Sequence, residues 1–147
     1  MHSVALAMLI VATSVAGASI AAAPVLAAAP CTAATVTGDY GMFPLTGPSQ
    51  ETESWGHFTF DGSEKVMGHE TDILNNGFEK INKVKGKYDV KPDCVIKMKL
   101  YYYVSGSLDR ENEFEGVVVN GGAKIDAVLT HTTGSVILAP MVLEAVQ

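Results

Sequence analysis

The chain has 147 residues, 16 of them acidic and 10 of them lysine or arginine, so its formal net charge is −6. This length favours a single domain, and the acidic balance with only one arginine, Arg110, argues against a nucleic-acid partner. The sequence contains no phosphate-binding loop, dinucleotide fingerprint, nucleophile elbow or paired-cysteine metal motif, so we expect neither a cofactor nor a metal.

The amino-terminal segment has the pattern of a secretory signal. Residues 1–38 contain no charged side chain, and an Ala/Val/Leu/Ile-rich run ends among small residues near Ala27. We therefore predict a signal peptide over 1–27 and one domain over 28–147, secreted or periplasmic and not stably inserted in a membrane after cleavage. A retained anchor is the alternative, because the positive charge that usually begins a signal is missing.

Cys31 and Cys94 are the only two cysteines. In an exported chain such a pair is most simply one disulfide. Two thiols contributing to a metal site are the alternative, although no C-x-x-C or H-x-x-x-H spacing accompanies them.

After Cys31, short alternating apolar and polar runs are separated by Gly, Asn, Asp and Pro, which is typical of β-hairpins. Eight strands are predicted, at about 37–45, 53–60, 65–74, 78–90, 95–104, 110–119, 124–131 and 135–144. Because no helix is predicted to cover an open sheet, we expect an all-β, eight-stranded antiparallel up-and-down barrel, a meander that closes on itself. In that topology Cys31 and the loop that holds Cys94 lie at the same end.

Pairing can be predicted because side chains alternate faces and paired residues share a face. In the central hairpin, Val90 is expected opposite Ile96 and Tyr88 opposite Met98. Around a turn at Gly121-Gly122, Val118 is expected opposite Ile125 and Asn112 opposite His131.

The hairpin around Asp61-Gly62-Ser63-Glu64 is predicted by the same rule. Phe60 should face Lys65, Phe58 should face Met67, and Gly56 should face His69. Its inner face would then include Met67, His69, Thr71 and Ile73, whereas Glu70 and Asp72 would point outward.

These pairings predict a barrel interior that changes along its axis. Near the disulfide it would be a dry plug of Phe58, Phe60, Met67, Tyr88, Val90, Ile96, Val118 and Ile125. At the other end the predicted inward residues are polar: His69, Thr71, Asn82, Tyr102, Asn112 and His131. An apolar floor with a few polar groups at the mouth is the usual form of a small-ligand site, so these six are the candidate ligand-binding residues.

Each candidate also has a structural interpretation. His69 would fill the space left by Gly56, His131 would be solvated at a strand end, and Tyr102 would be a core aromatic. No residue is assigned a catalytic role.

Three segments carry a resemblance to a known group: Phe58-Thr59-Phe60-Asp61-Gly62, Gly86 to Cys94 (GKYDVKPDC), and Gly116 to Gly122 (GVVVNGG). Over residues 37–138 the chain resembles small exported bacterial proteins that look like relatives of the allene-oxide-cyclase-like and lipocalin-like barrels. The resemblance implies a barrel fold. It leaves the function open, since such barrels bind ligands in some families and cyclise reactive polyenes in others, and no catalytic residue is carried over.

The leading expectation is a non-enzymatic exported barrel that binds a small, largely apolar molecule. One alternative is a cyclase or isomerase that uses His69 or Tyr102 for proton transfer. Another is a structural or interaction protein, forming a homo-oligomer through an outer face with Tyr101 and Tyr103.

Overall fold

A computed structural model of the protein describes residues 29–44, 53–74, 77–134 and 140–146. The predicted signal peptide and its cleavage site lie outside these ranges. The strands are β1 (Thr37–Pro44), β2 (Glu53–Asp61), β3 (Lys65–Leu74), β4 (Gly77–Val90), β5 (Val95–Val104), β6 (Ser107–Val119), β7 (Lys124–Thr132) and β8 (Pro140–Ala145).

Each strand pairs antiparallel with the next, and β8 pairs with β1, so the sheet is a closed up-and-down barrel. The predicted fold is confirmed, and the strand ends lie within three residues of those expected, except that residues 135–139, predicted to begin the last strand, lie outside the described ranges. Within the described ranges, no helix has the length and apolar character needed to cross a membrane.

The central hairpin has the predicted pairing. Val90 lies opposite Ile96, and Tyr88 lies opposite Met98. Gly86 is an inward position where a side chain would not fit, because a Cβ there would lie 2.6 Å from Leu100 Cδ2. The absence of a side chain at Gly86 therefore lets Leu100 fill the barrel interior.

The β2–β3 hairpin is shifted by one residue from the predicted pairing. Phe60 lies opposite Val66, and Gly56 lies opposite Glu70. The cause is the turn. Asp61 Oδ1 accepts hydrogen bonds from the backbone N–H groups of Ser63, Glu64 and Lys65 at 2.8 to 2.9 Å, and the loop is shortened to residues 62–64.

A one-residue shift moves every side chain of a strand to the other face. The prediction for β3 is therefore wrong: Met67 is 59% exposed, His69 and Thr71 lie on the outer face, and Glu70 and Asp72 are buried at 5% and 6% exposure. The side chain of Ile73, predicted to point inward, lies outside the described residues.

The β6–β7 hairpin follows the prediction from Val118–Ile125 as far as Phe114–Leu129 and then departs from it. A bulge at Thr130, whose hydroxyl donates to the Glu113 carbonyl at 3.1 Å, adds one residue to β7. As a result His131 lies opposite Glu113 and is exposed, and Asn112 faces Thr132 rather than His131.

The predicted disulfide is confirmed, with a Cα–Cα distance of 5.0 Å between Cys31 and Cys94. The chain that follows Cys31 makes a 3-10 turn at Ala33–Thr35 and then buries Val36 completely at this end of the barrel. The plug is also confirmed for all its predicted members except Met67.

Hydrogen bonds and ring contacts hold the plug together. Tyr88 donates its hydroxyl to the Val36 carbonyl at 3.0 Å, and Tyr40 donates to the Gly122 carbonyl at 2.6 Å. The Phe60 ring lies edge-on to both tyrosine rings, with centroids 5.1 and 5.0 Å away. Every polar atom named here has a backbone partner.

Candidate functional site

Three charged side chains are buried together towards the end away from the disulfide. Arg110 reaches from β6 across the interior to Glu70 and Asp72 on β3, and it is 7% exposed. Its Nη2 lies 2.8 Å from Asp72 Oδ2 and 3.4 Å from Glu70 Oε1. The shorter contact makes Asp72 the principal partner of the guanidinium.

Arg110 points into the barrel because side chains alternate between the two faces along β6. It alternates in phase with Asn112 and Phe114, which are also buried, and it lies opposite Tyr102 on β5. The guanidinium carbon is 4.3 Å from the centre of the Tyr102 ring, which is cation–π geometry.

Other side chains complete the shell around this cluster. Ser54 on β2 donates its hydroxyl to Asp72 Oδ1 at 2.7 Å, and Arg110 Nη1 donates to Asp109 Oδ2 at 3.2 Å. Thr132 on β7 donates to Asn112 Oδ1 at 2.7 Å. The cluster therefore draws on five of the eight strands, β2, β3, β5, β6 and β7.

Two buried atoms of the cluster have no hydrogen-bond partner among the described residues: Glu70 Oε2 and Arg110 Nε. Buried polar atoms are nearly always hydrogen-bonded, so unpaired ones indicate a ligand or water position. Both atoms belong to side chains more than nine-tenths buried.

Burial, reinforced by the nearby Asp72 carboxylate, raises the pKa of Glu70 well above its usual value. Glu70 therefore favours the protonated form, in which its carboxyl group can donate as well as accept a hydrogen bond. Burial opposes the charge on Arg110, but Asp72, Glu70 and Tyr102 together raise its pKa. Arg110 and Asp72 form a buried ion pair, and Glu70 beside it resists ionisation.

Tyr102 is in the same environment. Burial, with the Glu70 carboxyl group close by, raises the pKa of Tyr102 well above its usual value, so its phenol keeps the proton. The interior thus offers proton donors at Arg110, Glu70 and Tyr102.

The layer between this cluster and the plug is apolar. Its inward residues, all at most 7% exposed, are Met42, Ile81, Leu100, Phe114, Leu129 and Met141. Three of the four connections at this end include residues outside the described ranges, namely 45–52, 75–76 and 135–139. The predicted gradient from apolar to polar is therefore present, with different polar residues from those predicted.

Of the six predicted ligand-binding residues, Tyr102 and Asn112 lie inside beside Arg110. His69, Thr71 and His131 lie on the outer face, where His69 stacks on His57 with ring centroids 5.7 Å apart. The side chain of Asn82 lies outside the described residues. A role for these residues in ligand binding remains a prediction.

Arg110 carried a signal in the sequence, because it shares its phase with Asn112 and Phe114. Glu70 and Asp72 could not be found in this way, because the predicted register of β3 was wrong by one residue and placed both side chains on the outer face. No group of three or more His, Cys, Asp or Glu side chains in the described ranges is arranged to hold a metal ion.

Comparisons of the chain with protein-family models, curated proteins and solved structures found no significant match. The class of the protein therefore rests on its own architecture, a closed eight-stranded antiparallel barrel consistent with a lipocalin-like barrel. Its disulfide is typical of proteins from oxidising, extracytoplasmic compartments.

Proposed function

We propose that this protein is an exported barrel that binds one small, largely apolar molecule at the end away from the disulfide. It would share this role with ligand-binding barrels of the lipocalin-like kind, and its origin would be among the small exported bacterial proteins that also resemble allene-oxide-cyclase-like barrels. The ligand carries one oxygen that accepts hydrogen bonds, such as a carbonyl or carboxyl group.

The observation that supports this proposal is the pair of unpartnered buried atoms, Glu70 Oε2 and Arg110 Nε. Leaving a buried polar group without a hydrogen bond costs about 1–3 kcal/mol. A ligand oxygen between them would accept from Arg110 Nε–H and from the protonated Glu70 carboxyl group. The apolar layer at Leu100 and Leu129 would contact the rest of the molecule.

The test is a fluorescence titration of the disulfide-bonded protein with N-phenyl-1-naphthylamine, a neutral apolar probe, followed by displacement with oleic acid or with octadecane. We expect one probe molecule to bind per barrel. Oleic acid should displace it and octadecane should not, because octadecane has no oxygen to accept a hydrogen bond. Glu70→Leu, which removes the hydrogen-bond donor, should weaken oleic acid binding by roughly tenfold, about the value of one buried hydrogen bond, whereas Glu70→Gln keeps an amide donor and should bind nearly like wild type. Absence of probe binding, together with no small molecule in solvent extracts of the purified protein, would overturn the proposal.

The Glu70 carboxyl group also favours a second candidate, a cyclase or isomerase. An acid whose pKa is raised by burial, next to the Tyr102 phenol, is a typical proton donor, and Glu70 takes the place that the sequence had suggested for His69. The barrel would contribute by holding one conformer of the substrate. A Glu70→Gln variant that still binds a polyene epoxide but no longer converts it would favour this candidate.

A further inference from the structure

The outer face of β3, β4 and β5 carries a dense group of lysines. We call it the lysine face and define it as Lys65, Met67, Lys83, Lys85, Lys87, Tyr101 and Tyr103. By register Lys65 lies opposite Lys87, so these two lysines form one row of the face, and the ion-paired Lys99 lies beside Lys87 at its edge. Met67, Lys85 and Tyr101 form the next row.

The lysines of this face differ from those beside it. On β5, Lys97 pairs with Glu115 at 3.0 Å, and Lys99 pairs with Glu113 at 3.2 Å. In the described part of the chain, no carboxylate pairs with Lys65, Lys83, Lys85 or Lys87. The contrast is informative because the chain has an excess of acidic residues.

Like charges directly across a sheet destabilise it. The neighbouring Lys85 lowers the pKa of Lys83, which is the direction expected when two ammonium groups are crowded together. Repulsion between these lysines destabilises the free protein, and an anionic partner that covers the face would relieve it.

The face is amphipathic as well as basic. Met67 is 59% exposed in the middle of the lysines, and Tyr101 and Tyr103 lie half-buried along one side. Two strand spacings give a width of about 10 Å, and the distance from Lys83 to Lys87 is about 13 Å. Lysines around exposed apolar and tyrosine side chains suit the headgroup region of a bilayer, where lysine reaches phosphates and tyrosine lies at the interface.

We propose that the lysine face docks the protein on an anionic lipid surface. A second copy of the chain fits less well, because a two-fold contact would set Lys85 and Lys87 against the same lysines of the other copy. The net charge of −6 does not prevent docking, since Glu113 and Glu115 are paired by lysines and more distant acids are screened beyond about 10 Å at 0.1 M salt.

The experiment is sedimentation of the disulfide-bonded protein with vesicles of phosphatidylcholine, alone or with about a quarter of phosphatidylglycerol to supply the anionic surface. The test variant is Lys85→Gln/Lys87→Gln. The matched control is Lys91→Gln/Lys124→Gln, which removes the same charge from a turn and from the Asp126 ion pair.

We expect binding only to the anionic vesicles, with loss at high salt. A lysine near such a surface contributes roughly a fivefold gain in affinity, so the test variant should bind about 25-fold more weakly and the control should bind like wild type. Met67→Gln should weaken binding several-fold while leaving its salt dependence unchanged.

Equal binding to both kinds of vesicle, or equal losses in test and control variants, would overturn the proposal. Binding to a soluble acidic polysaccharide such as alginate without binding to vesicles would also overturn it, and would assign the face to a glycan. None of these outcomes depends on the interior ligand, because Lys85 and Lys87 point away from the barrel interior.

Discussion

The two ends of the barrel bury polar groups in different ways. At the disulfide end, the Tyr40 and Tyr88 hydroxyls donate to backbone carbonyls, and the interior is otherwise aromatic and aliphatic. At the other end, a guanidinium and two carboxyl groups are buried, and Glu70 Oε2 and Arg110 Nε stay unpaired among the described residues. The first arrangement pairs its buried hydroxyl groups with the backbone, whereas the second leaves two buried polar atoms without a partner in the described part of the chain.

The largest expected effect comes from breaking the charged end. Arg110→Met leaves Asp72 without its cation inside the barrel, and losing one partner of a buried ion pair costs about 3–5 kcal/mol. At the other end, Tyr40→Phe removes one neutral hydrogen bond and should cost about 1–2 kcal/mol. Urea unfolding followed by the fluorescence of Trp55, the only tryptophan, measures both.

A triple variant separates the effect of charge from that of packing. Arg110→Met with Glu70→Leu and Asp72→Leu removes all three ionisable groups, and apolar replacement of a buried ion pair is often neutral or stabilising. We expect the triple variant to regain most of the stability that Arg110→Met loses. It should no longer prefer oleic acid to octadecane as the ligand that displaces the probe. If Arg110→Met costs no more than Tyr40→Phe, the cluster is solvated and the contrast between the two ends is wrong.

The second effect is at the disulfide end. Cys94→Ser opens a link between residues 63 apart, which the chain-entropy estimate values at about 4 kcal/mol. We expect a loss of a few kcal/mol, with probe binding at the far end unchanged. The double variant Cys31→Ser/Cys94→Ser controls for a free thiol and should behave in the same way, and a large loss of probe binding in both would show that the ends are coupled.

The difference between the ends also explains what the sequence could predict. The disulfide end was predictable because apolar alternation, the turn before Cys94 and the two cysteines all agree on one arrangement. The polar interior of the far end, and Met67 near the disulfide, were not predictable in this way, because they depend on two local irregularities: the three-residue turn that the Asp61 carboxylate makes at the disulfide end of β2 and β3, and the bulge at Thr130 in β7. Each shifts a register by one residue, which exchanges His69 for Glu70 inside the barrel and places His131 outside.

The smallest effect concerns the proton on Glu70, and it distinguishes a neutral acid from a buried charge. Because its folded-state pKa is raised, the native protein holds this proton at pH values where the unfolded chain has released it. Stability from this group is therefore fully present below the ordinary glutamate pKa of about 4.3 and is lost as the pH rises towards the folded-state pKa.

Glu70→Gln cannot titrate at this position, so the pH dependence of the difference in unfolding free energy between wild type and Glu70→Gln reports the proton on Glu70. We expect the wild type to lose stability relative to Glu70→Gln as the pH rises above about 4.3, with a slope of up to about 1.4 kcal/mol per pH unit. Glu64→Gln, an exposed change in the β2–β3 turn, controls for the loss of a carboxyl group. A constant difference across this pH range would mean that Glu70 is ionised inside the barrel, with Arg110 shared between two carboxylates, and the carboxyl group could then accept but not donate a hydrogen bond to a ligand oxygen.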